Sequence, residues 1–322
     1  MPKVTVTGNQ IDTLSTSAII DQDLIEKLPG GAGFITDQLK TIPGVAFPEN
    51  DNSSKTGGEI APTEISISGG RTHENNFMLD GIGINNFINP ASTTDTVSDI
   101  PGHSQEYFFP KHLIKDITVY RSNIPVRYGS FTGGVVIANT KDPEPEFRGE
   151  LDYETTRSDW GHFFIDSADQ EDFENSTSSE NQPQFTKHNG AATVNFPITN
   201  NSAGFLSYSR TESSIPLSLL NSKKVQSRRQ ENLFLKYQLE PNKDTKLTLS
   251  SSYLPYRSEN FLENTLNSDY QYDAGGIIFN GKLEKKTALA DVKFTLGLKQ
   301  SENSRNAPQN WMNWRVTDSK NR

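Results

Sequence analysis

The chain has 322 residues, of which 33% are hydrophobic, and it carries a formal net charge of −9 and no cysteine. The lack of cysteine argues against disulfide-stapled modules, thiolate metal sites and thiol catalysis, and the acidic balance disfavours nucleic acid as the main partner. The mean hydropathy is −0.64, and no stretch approaches the roughly 18 apolar residues that a membrane-spanning helix needs.

The first patterned segment consists of four residues, Val4, Thr5, Val6 and Thr7. Their β-branched side chains favour an extended backbone, which could add as a strand to the sheet edge of a partner or form the first strand of the domain that follows. No apolar stretch of a secretory signal precedes them. If the protein is exported, we expect its leader to be removed or to lie upstream.

Two short helices are predicted next. Asp21 is positioned to cap a helix that ends at the Pro-Gly-Gly of residues 29–31. A second helix is predicted over about 34–41, ending before Pro43 and Gly44. Short strands follow, and we place them at 65–68, 78–84, 117–120 and 135–138.

A compositional break follows these elements. Pro143 and Pro145 lie close together in a charged segment, and two prolines at this spacing interrupt regular structure. We therefore predict a mixed α/β domain over residues 1–141 and a second region over 142–322.

The second region is dominated by alternating apolar and polar residues. Between residues 288 and 298 every second residue is apolar, and a period of two is typical of a strand with two different faces. Strands of this kind are predicted at about 146–156, 186–198, 203–211, 231–239, 245–254, 272–283, 287–300 and 311–317.

The predicted connections between these strands alternate in length. Long ones cover about 157–185, 212–230, 255–271 and 301–310, and short ones centre on 199–201, 241–243 and 284–286. Outer-membrane barrels have long loops at one end and tight turns at the other. The alternative interpretation is a soluble or surface-exposed β-rich binding or adhesion protein, because any antiparallel sheet with one buried face shows alternation.

Several blocks of the first region, in this order, resemble the plug domain of TonB-dependent outer-membrane receptors. They contain the landmarks Pro43, Gly44, Gly69, Gly70, Arg71, Asp80, Gly81, Arg121, Tyr128, Gly129, Gly133 and Gly134. The sequence departs from the family pattern at Ser68, where plugs usually have Arg, and after Arg121, where Ser-Asn replaces the usual Gly-Pro or Gly-Ala. The glycines also have a structural explanation, since they permit tight turns and close backbone approach.

The resemblance implies an α/β plug domain followed by antiparallel transmembrane β-barrel strands of a 22-stranded-type barrel. About eight strands cannot enclose a plug, so we expect the chain to be a carboxy-truncated receptor fragment. Its open sheet would expose a lipid-facing surface and an unpaired edge, and we expect the isolated chain to aggregate or to need detergent.

The resemblance further implies energy-coupled uptake of a scarce ligand. The expected partners are a TonB-type periplasmic energiser, which would engage a TonB box at the Val4 segment, outer-membrane lipid, and an external ligand. That ligand could be a siderophore, cobalamin, a glycan or a peptide. The plug segments expected to face it are about 47–63 and 86–109, with candidate contacts at Asn86, Phe87, Asn89, His103, Tyr107 and Phe108.

No motif indicates an enzyme, a cofactor or a metal centre. The histidines show no zinc-binding spacing, and no nucleophile elbow, phosphate loop or dinucleotide fingerprint is present. The acidic run over 166–174 lacks the order of an EF-hand, so we interpret it as a solvated loop.

Overall fold

The computed structural model describes residues 16–28, 33–48, 53–91, 100–220, 222–308 and 313–314. Two large sheets follow one another along the chain, one in the amino-terminal unit up to residue 142 and one formed by the longer strands after it. In the described residues, none of the helices is long and apolar enough to cross a membrane.

The amino-terminal unit has a five-stranded mixed sheet in the order β1-β6-β7-β4-β5. The pairing of β4 with β7 is parallel and the other pairings are antiparallel. A separate two-stranded sheet joins β2 to β3. The elements are β1 (Thr16–Asp21), α1 (Gln22–Lys27), β2 (Val45–Ala46), β3 (Ser66–Ile67), β4 (Asn76–Leu79), β5 (Ile82–Gly83), β6 (Ile114–Ser122) and β7 (Val135–Thr140).

The first predicted helix is confirmed. The Asp21 side chain accepts a hydrogen bond from the Leu24 amide at 3.0 Å, which satisfies one of the free amides of the first turn. The second predicted helix is present over Thr36–Thr41 and is of the 3-10 type. Its end is tightened by the bond from the Ile42 amide to the Leu39 carbonyl, and the following Pro43 keeps Ile42 extended.

The predicted strand over 78–84 is a hairpin, with β4 and β5 joined by Asp80 and Gly81. Both turn residues have positive φ, 48° and 89°, which is the conformation of a two-residue type I′ turn. The Asp80 carboxylate accepts bonds from the Thr140 amide at 2.9 Å and the Thr140 hydroxyl at 2.6 Å. The hairpin is therefore fixed to the end of β7.

The second sheet is a seven-stranded antiparallel meander in the order β15-β14-β12-β11-β10-β9-β8, and a small separate sheet pairs β13 with β16. Its elements are β8 (Arg148–Arg157), α2 (Gln170–Glu174), β9 (Thr186–Thr199), β10 (Ser202–Leu219), β11 (Ser222–Asn242), β12 (Thr245–Asn260), β13 (Thr265–Leu266), β14 (Tyr270–Lys286), β15 (Asp291–Asn306) and β16 (Asn313–Trp314). The acidic run predicted as loop contains α2.

One predicted long connection is wrong. Residues 212–219 belong to β10 and residues 222–230 to β11, and the two strands stay in register from the pair Ser202 and Leu239 to the pair Leu219 and Ser222. The charged residues of this segment resemble a loop in sequence. Alternation nevertheless continues through them, and Ile215 and Leu217 are fully buried. The connections around 255–271 and 301–310 are likewise shorter than predicted, because β12 and β15 extend into them.

The two faces of the second sheet have opposite character. The face that packs on the amino-terminal unit is mostly polar, although Phe205, Phe234, Leu254 and Ile278 join the buried core of that unit. The other face exposes a continuous set of apolar side chains, comprising Leu151, Tyr153, Leu206, Tyr208, Leu233, Leu235, Leu249, Tyr253, Phe279, Leu283, Val292, Phe294, Leu296 and Leu298. We call the face that packs on the amino-terminal unit the inward face and the face with the exposed apolar side chains the outward face.

Candidate functional site at the contact between the two sheets

Among the described residues, three ion pairs join cations of the inward face to carboxylates of the amino-terminal unit. They are Arg228 with Glu59, Lys299 with Glu106 and Lys236 with Asp142. We call these pairs the three latches. In each, the sheet supplies the cation and the amino-terminal unit supplies the carboxylate.

The Arg228 latch has the geometry of a two-point contact. Nε and Nη2 of Arg228 donate to the two Glu59 carboxylate oxygens at 3.1 and 3.2 Å. Nη2 also donates to Gln226 Oε1 at 2.8 Å, and Nη1 donates to the Ser227 carbonyl at 3.1 Å. Arg228 is buried. A guanidinium in this setting is held in place because its planar donors match the carboxylate and the neighbouring acceptors.

A loop residue reinforces this first latch. Gln182, on the connection between β8 and β9, accepts a bond from the Gly58 amide at 2.7 Å and donates to Glu59 Oε1 at 2.9 Å. Its backbone amide donates to the Lys55 carbonyl at 2.7 Å. The loop, β11 and the 53–61 segment of the amino-terminal unit therefore form one hydrogen-bonded group.

The Lys299 latch lies on β15. Lys299 Nζ donates to Glu106 Oε2 at 2.7 Å, and the Ser301 hydroxyl donates to the other carboxylate oxygen. The ammonium also lies 5.1 Å from the centre of the Phe87 ring, within the range of a cation–π contact. Glu106 is buried by this arrangement, with 8% of its side chain exposed.

The Lys236 ammonium of the third latch has three acceptors. Lys236 Nζ donates to Asp142 Oδ1 and Thr140 Oγ1 at 3.0 Å and to the Thr140 carbonyl at 3.2 Å. Lys115 Nζ donates to the second oxygen of Asp142 at 2.9 Å. Burial acts to raise the pKa of Asp142, but the charge of Lys236 and the hydrogen bonds from both lysines lower it to about 2.

Two cavities lie between the amino-terminal unit and the inward face. The first, of about 440 Å³, is lined on the sheet side by β8, β9 and β10, including Glu150, Asp152 and Glu154. The second, of about 450 Å³, is lined by β11, β12, β14 and β15 and by both lysines of the third latch.

His112 lies at the first cavity. Its Nε2 is 3.2 Å from the Ser207 hydroxyl. Burial, with the charges of Lys141 and Lys111, lowers the pKa of His112 to about 4, so its ring is neutral at pH 7.

Several sequence landmarks meet at one point of the amino-terminal unit. The Arg121 side chain donates to the Pro43 carbonyl at 2.5 Å, and the Ser68 amide donates to the Gly44 carbonyl at 2.9 Å. The Ser68 hydroxyl donates to the Arg121 carbonyl at 2.8 Å. Ser68, where related plugs usually carry Arg, is thus part of the same group of contacts, and Gly69 follows it in the turn.

A second group of landmarks forms a close backbone packing. A Cβ on Gly70 would lie 2.8 Å from the Gly133 Cα, so neither position has room for a side chain. The Gly133 amide donates to the Glu74 carbonyl, and the Arg71 amide donates to the Glu74 carboxylate at 2.8 Å.

The remaining landmarks lie near the same packing. The Gly134 amide donates to Asn75 Oδ1, and the Gly129 carbonyl accepts from Asn76 Nδ2 at 2.7 Å. The Tyr128 ring lies 5.4 Å from that of Tyr120.

Most of the candidate ligand contacts are inside the unit. Asn86, His103, Tyr107 and Phe108 are buried. The Asn86 side chain accepts from the Ile88 and Asn89 amides, so it closes its own loop. Burial leaves these four side chains packing against their neighbours.

The other two candidates are accessible. Phe87 is 70% exposed, while Asn89 is half-buried and donates to the Ile100 carbonyl. Ligand contact at all six candidates stays a prediction. The segment Val4, Thr5, Val6 and Thr7 lies outside the described residues, so the TonB-box assignment also stays a prediction.

Sequence reasoning missed the latches. In the sequence, Lys236, for example, is one polar residue between the apolar Leu235 and Tyr237. A usable signal exists, because a cation on the polar side of an alternating strand must find a carboxylate if that side is buried. In the described part of the chain, no group of three or more His, Cys, Asp or Glu side chains could hold a metal ion.

Comparison with known proteins supports the resemblance to TonB-dependent receptors. The sequence profile described as "TonB-dependent Receptor Plug Domain" matches residues 9–136. The structure of the outer membrane transporter YddB from Escherichia coli superposes on 87% of this chain with a TM-score of 0.78 and 26% identity. Residues 9–136 therefore match the plug domain of TonB-dependent receptors, and the described fold is that of an outer-membrane receptor of this type. The chain's amino-terminal unit is the plug, its second sheet consists of barrel strands, and its location is the outer membrane.

Sequence comparison agrees with the structural match. The E. coli K12 protein named "Uncharacterized protein YddB" is 35% identical over 196 residues, which are 59% of this chain and 25% of that protein. A variant of the ferric enterobactin receptor from Pseudomonas aeruginosa matches 92% of the chain with a TM-score of 0.57 and 16% identity, a likeness of fold. The chain covers 38% of the YddB structure and 42% of the enterobactin receptor. The similar proteins are transporters and receptors.

Proposed function

We propose that the chain is part of a receptor that takes up a scarce external ligand across the outer membrane, driven by a TonB-type periplasmic partner. Binding and transport of the ligand require no covalent chemistry. The ligand class stays open among siderophores, cobalamin, glycans and peptides. The domain boundary near residue 141 is part of this proposal, since a plug must separate from the barrel strands to open a path.

The contact between plug and sheet supports the proposal most directly. Its polar part includes separate hydrogen-bonded groups around the three latches and further single contacts, such as that of Gln230 with the Phe108 carbonyl. Polar groups of this kind can exchange their partners for water when a path opens, so their separation costs less than separation of an apolar core of equal area.

The outward face supports a membrane role. Its exposed apolar side chains are neighbours across strands, as in the pairs Leu206 with Leu235 and Leu233 with Tyr253. A continuous apolar surface of this kind is unfavourable in water and favourable against lipid. We propose that outer-membrane lipid covers it, and this observation disfavours the soluble adhesion alternative.

The coupling role can be tested at Val6. In the protein expressed from its natural gene, Val6→Pro removes an amide that strand addition would use. We expect outer-membrane vesicles carrying this variant to lose capture of a purified TonB periplasmic domain, while the amount of protein in the membrane stays unchanged.

Val126→Pro is the matched control. Val126 is fully exposed, and it lies in a turn closed by the bond from the Tyr128 amide to the Pro125 carbonyl. Proline is favoured at the position that Val126 occupies in such a turn. Equal capture by wild type and Val6→Pro contradicts the coupling role, and release of the protein into buffer without detergent contradicts the receptor assignment.

A further inference from the structure

We infer that the cargo is an anion, and that the latch cations of the inward face become its binding groups once the plug carboxylates have moved away. The inference rests on the proposed function and adds a chemical class to it. It is based on which side of the contact between plug and sheet carries the positive charges, followed along the length of the strands.

All three latches have the same polarity. Arg228, Lys236 and Lys299 belong to the sheet, and Glu59, Asp142 and Glu106 belong to the plug or its link to β8. A contact meant only to hold the plug could use either sign on either side. The uniform arrangement means that displacement of the plug leaves the sheet with unpaired positive charge.

The latch cations span much of the length of the strands. Arg228 and Lys236 are on the same strand, β11, and eight residues of strand correspond to about 26 Å. Lys299 faces the same interior from β15, two strands beyond β12. An anion moving along this side would pass successive cations over nearly the thickness of the bilayer core.

Further cations lie on the rest of this side. The strand register gives inward positions to Lys246 on β12, Lys282 on β14, and Lys293 and Arg305 on β15. The inward carboxylates Glu240, Glu284 and Asp291 lie near the short turns, where Glu240 pairs with Lys246 and Glu284 pairs with Lys282 and Lys293. The lysines line the second cavity, where the plug contributes Asp80, Asp116 and Asp142.

The β8 side has the opposite character. Glu150, Asp152 and Glu154 line the first cavity. The path for an anion is therefore the side formed by β11, β12, β14 and β15, where the plug carboxylates occupy the places that carboxylate or phosphate groups of a cargo would take. A buried cation without a partner is destabilising. Replacement of a plug carboxylate by an oxyanion of the cargo is therefore easier than removal of the carboxylate with nothing in its place.

The test measures ion selectivity of the protein expressed from its natural gene in planar lipid bilayers. Urea at a concentration that reversibly displaces the plug opens a conductance, and a KCl gradient gives its reversal potential. We expect the wild type to prefer chloride over potassium. Citrate and pyrophosphate, added in turn at the outer side, should reduce the current, and the stronger blocker identifies the oxyanion type.

A paired variant isolates the latches. It combines Arg228→Gln with Glu59→Gln, Lys299→Gln with Glu106→Gln, and Lys236→Gln with Asp142→Asn, so that the net charge is unchanged and hydrogen-bonding groups remain on both sides. We expect it to lose most of the preference for chloride, by at least threefold in permeability ratio.

The control variant neutralises three pairs outside the inward face, Arg257 with Asp273, Arg210 with Glu231 and Lys27 with Asp23. It should keep the selectivity of the wild type. A cation-selective wild type, an unchanged paired variant, or block by neither oxyanion overturns the inference while leaving receptor function intact. Absence of any conductance on plug displacement overturns the proposed function itself.

Discussion

The two faces of the second sheet follow opposite rules although they belong to the same strands. On β10, Leu206 of the outward face is 40% exposed, whereas its neighbour Ser207 on the inward face is fully buried. A sheet on the surface of a soluble protein buries the apolar side and exposes the polar one. The inversion is the arrangement expected when the outward face meets surroundings that are less polar than water, as we propose for lipid.

The same difference separates two kinds of ion pair. Arg228 of the inward face is buried against Glu59 with all its donors used. Arg257 of the outward face pairs with Asp273, and its side chain is 55% exposed. Buried pairs are strongly destabilised by loss of one partner, and exposed pairs contribute little. The faces therefore differ in what a single substitution should do.

The largest expected effect is a charge on the outward face. Leu235→Arg should destabilise the protein in lipid vesicles by about 2–4 kcal/mol, because the guanidinium must enter hydrocarbon. Leu289→Arg is the control, since Leu289 is 99% exposed in the turn between β14 and β15 and should change stability by less than about 0.5 kcal/mol. Urea unfolding measures both, and equal effects would remove the distinction between the faces.

Loss of a buried latch should come next. Arg228→Met leaves Glu59 without a cation, and we expect a loss of about 2 kcal/mol, reduced from the value for a fully buried pair because Glu59 keeps its bond from Gln182 and some contact with water. Arg257→Met on the outward face should cost about 0.5 kcal/mol or less. Urea titration, followed by trypsin cleavage of the plug, compares the free energies of unfolding of the two variants. A larger loss of stability in Arg257→Met than in Arg228→Met would contradict the assignment of faces.

A smaller effect is expected where the plug hairpin meets the inward face. The Asp80 carbonyl accepts a bond from Asn280 Nδ2 at 3.3 Å, and Gly81 beside it has φ of +89°. Gly81→Ala should cost about 1 kcal/mol through backbone strain alone, since its Cβ would meet no atom within 4 Å. Gly83→Ala, which has equal space and no positive φ, should be nearly neutral. Thermal unfolding that fails to separate these variants would contradict the turn conformation.

The smallest effect is a pH dependence at the third latch. The pKa of Asp142 falls from 3.8 to about 2 in the folded protein, so its stabilisation is present above pH 3.8 and is lost as the pH falls towards 2. Solvent screens part of it, because the side chain is 37% exposed. Asp142→Asn should flatten this part of the stability profile, and Asp23→Asn, at an exposed pair, should not. Parallel profiles for wild type and Asp142→Asn would count against the latch.

Much of the local structure could be predicted from sequence. A period of two marked the barrel strands, and Asp21 marked the start of α1, whereas the Asp-Gly of residues 80–81 was placed within one predicted strand and turned out to join β4 to β5. These signals are short-range, because capping, turn conformation and side-chain alternation each depend on a few neighbouring residues.

Other features were hidden because their cause lies far along the chain. The end of β10 and the start of β11 were predicted as a loop, because lysines and arginines interrupt the apolar alternation in this segment. The strand pairing shows that both segments are extended. The candidate ligand residues looked accessible in a polar segment, yet Tyr107 and His103 are buried by packing that the segment alone does not reveal.

The amino-acid order by itself determined that the strands have one apolar and one polar side, since alternation is written residue by residue. Only the tertiary structure decided which side is covered, because covering requires the plug to lie against the polar face and to bring Glu59 to Arg228 and Asp142 to Lys236. Contacts between residues so distant in sequence depend on the arrangement of the whole chain. The residues around each cation therefore do not indicate which carboxylate it will contact.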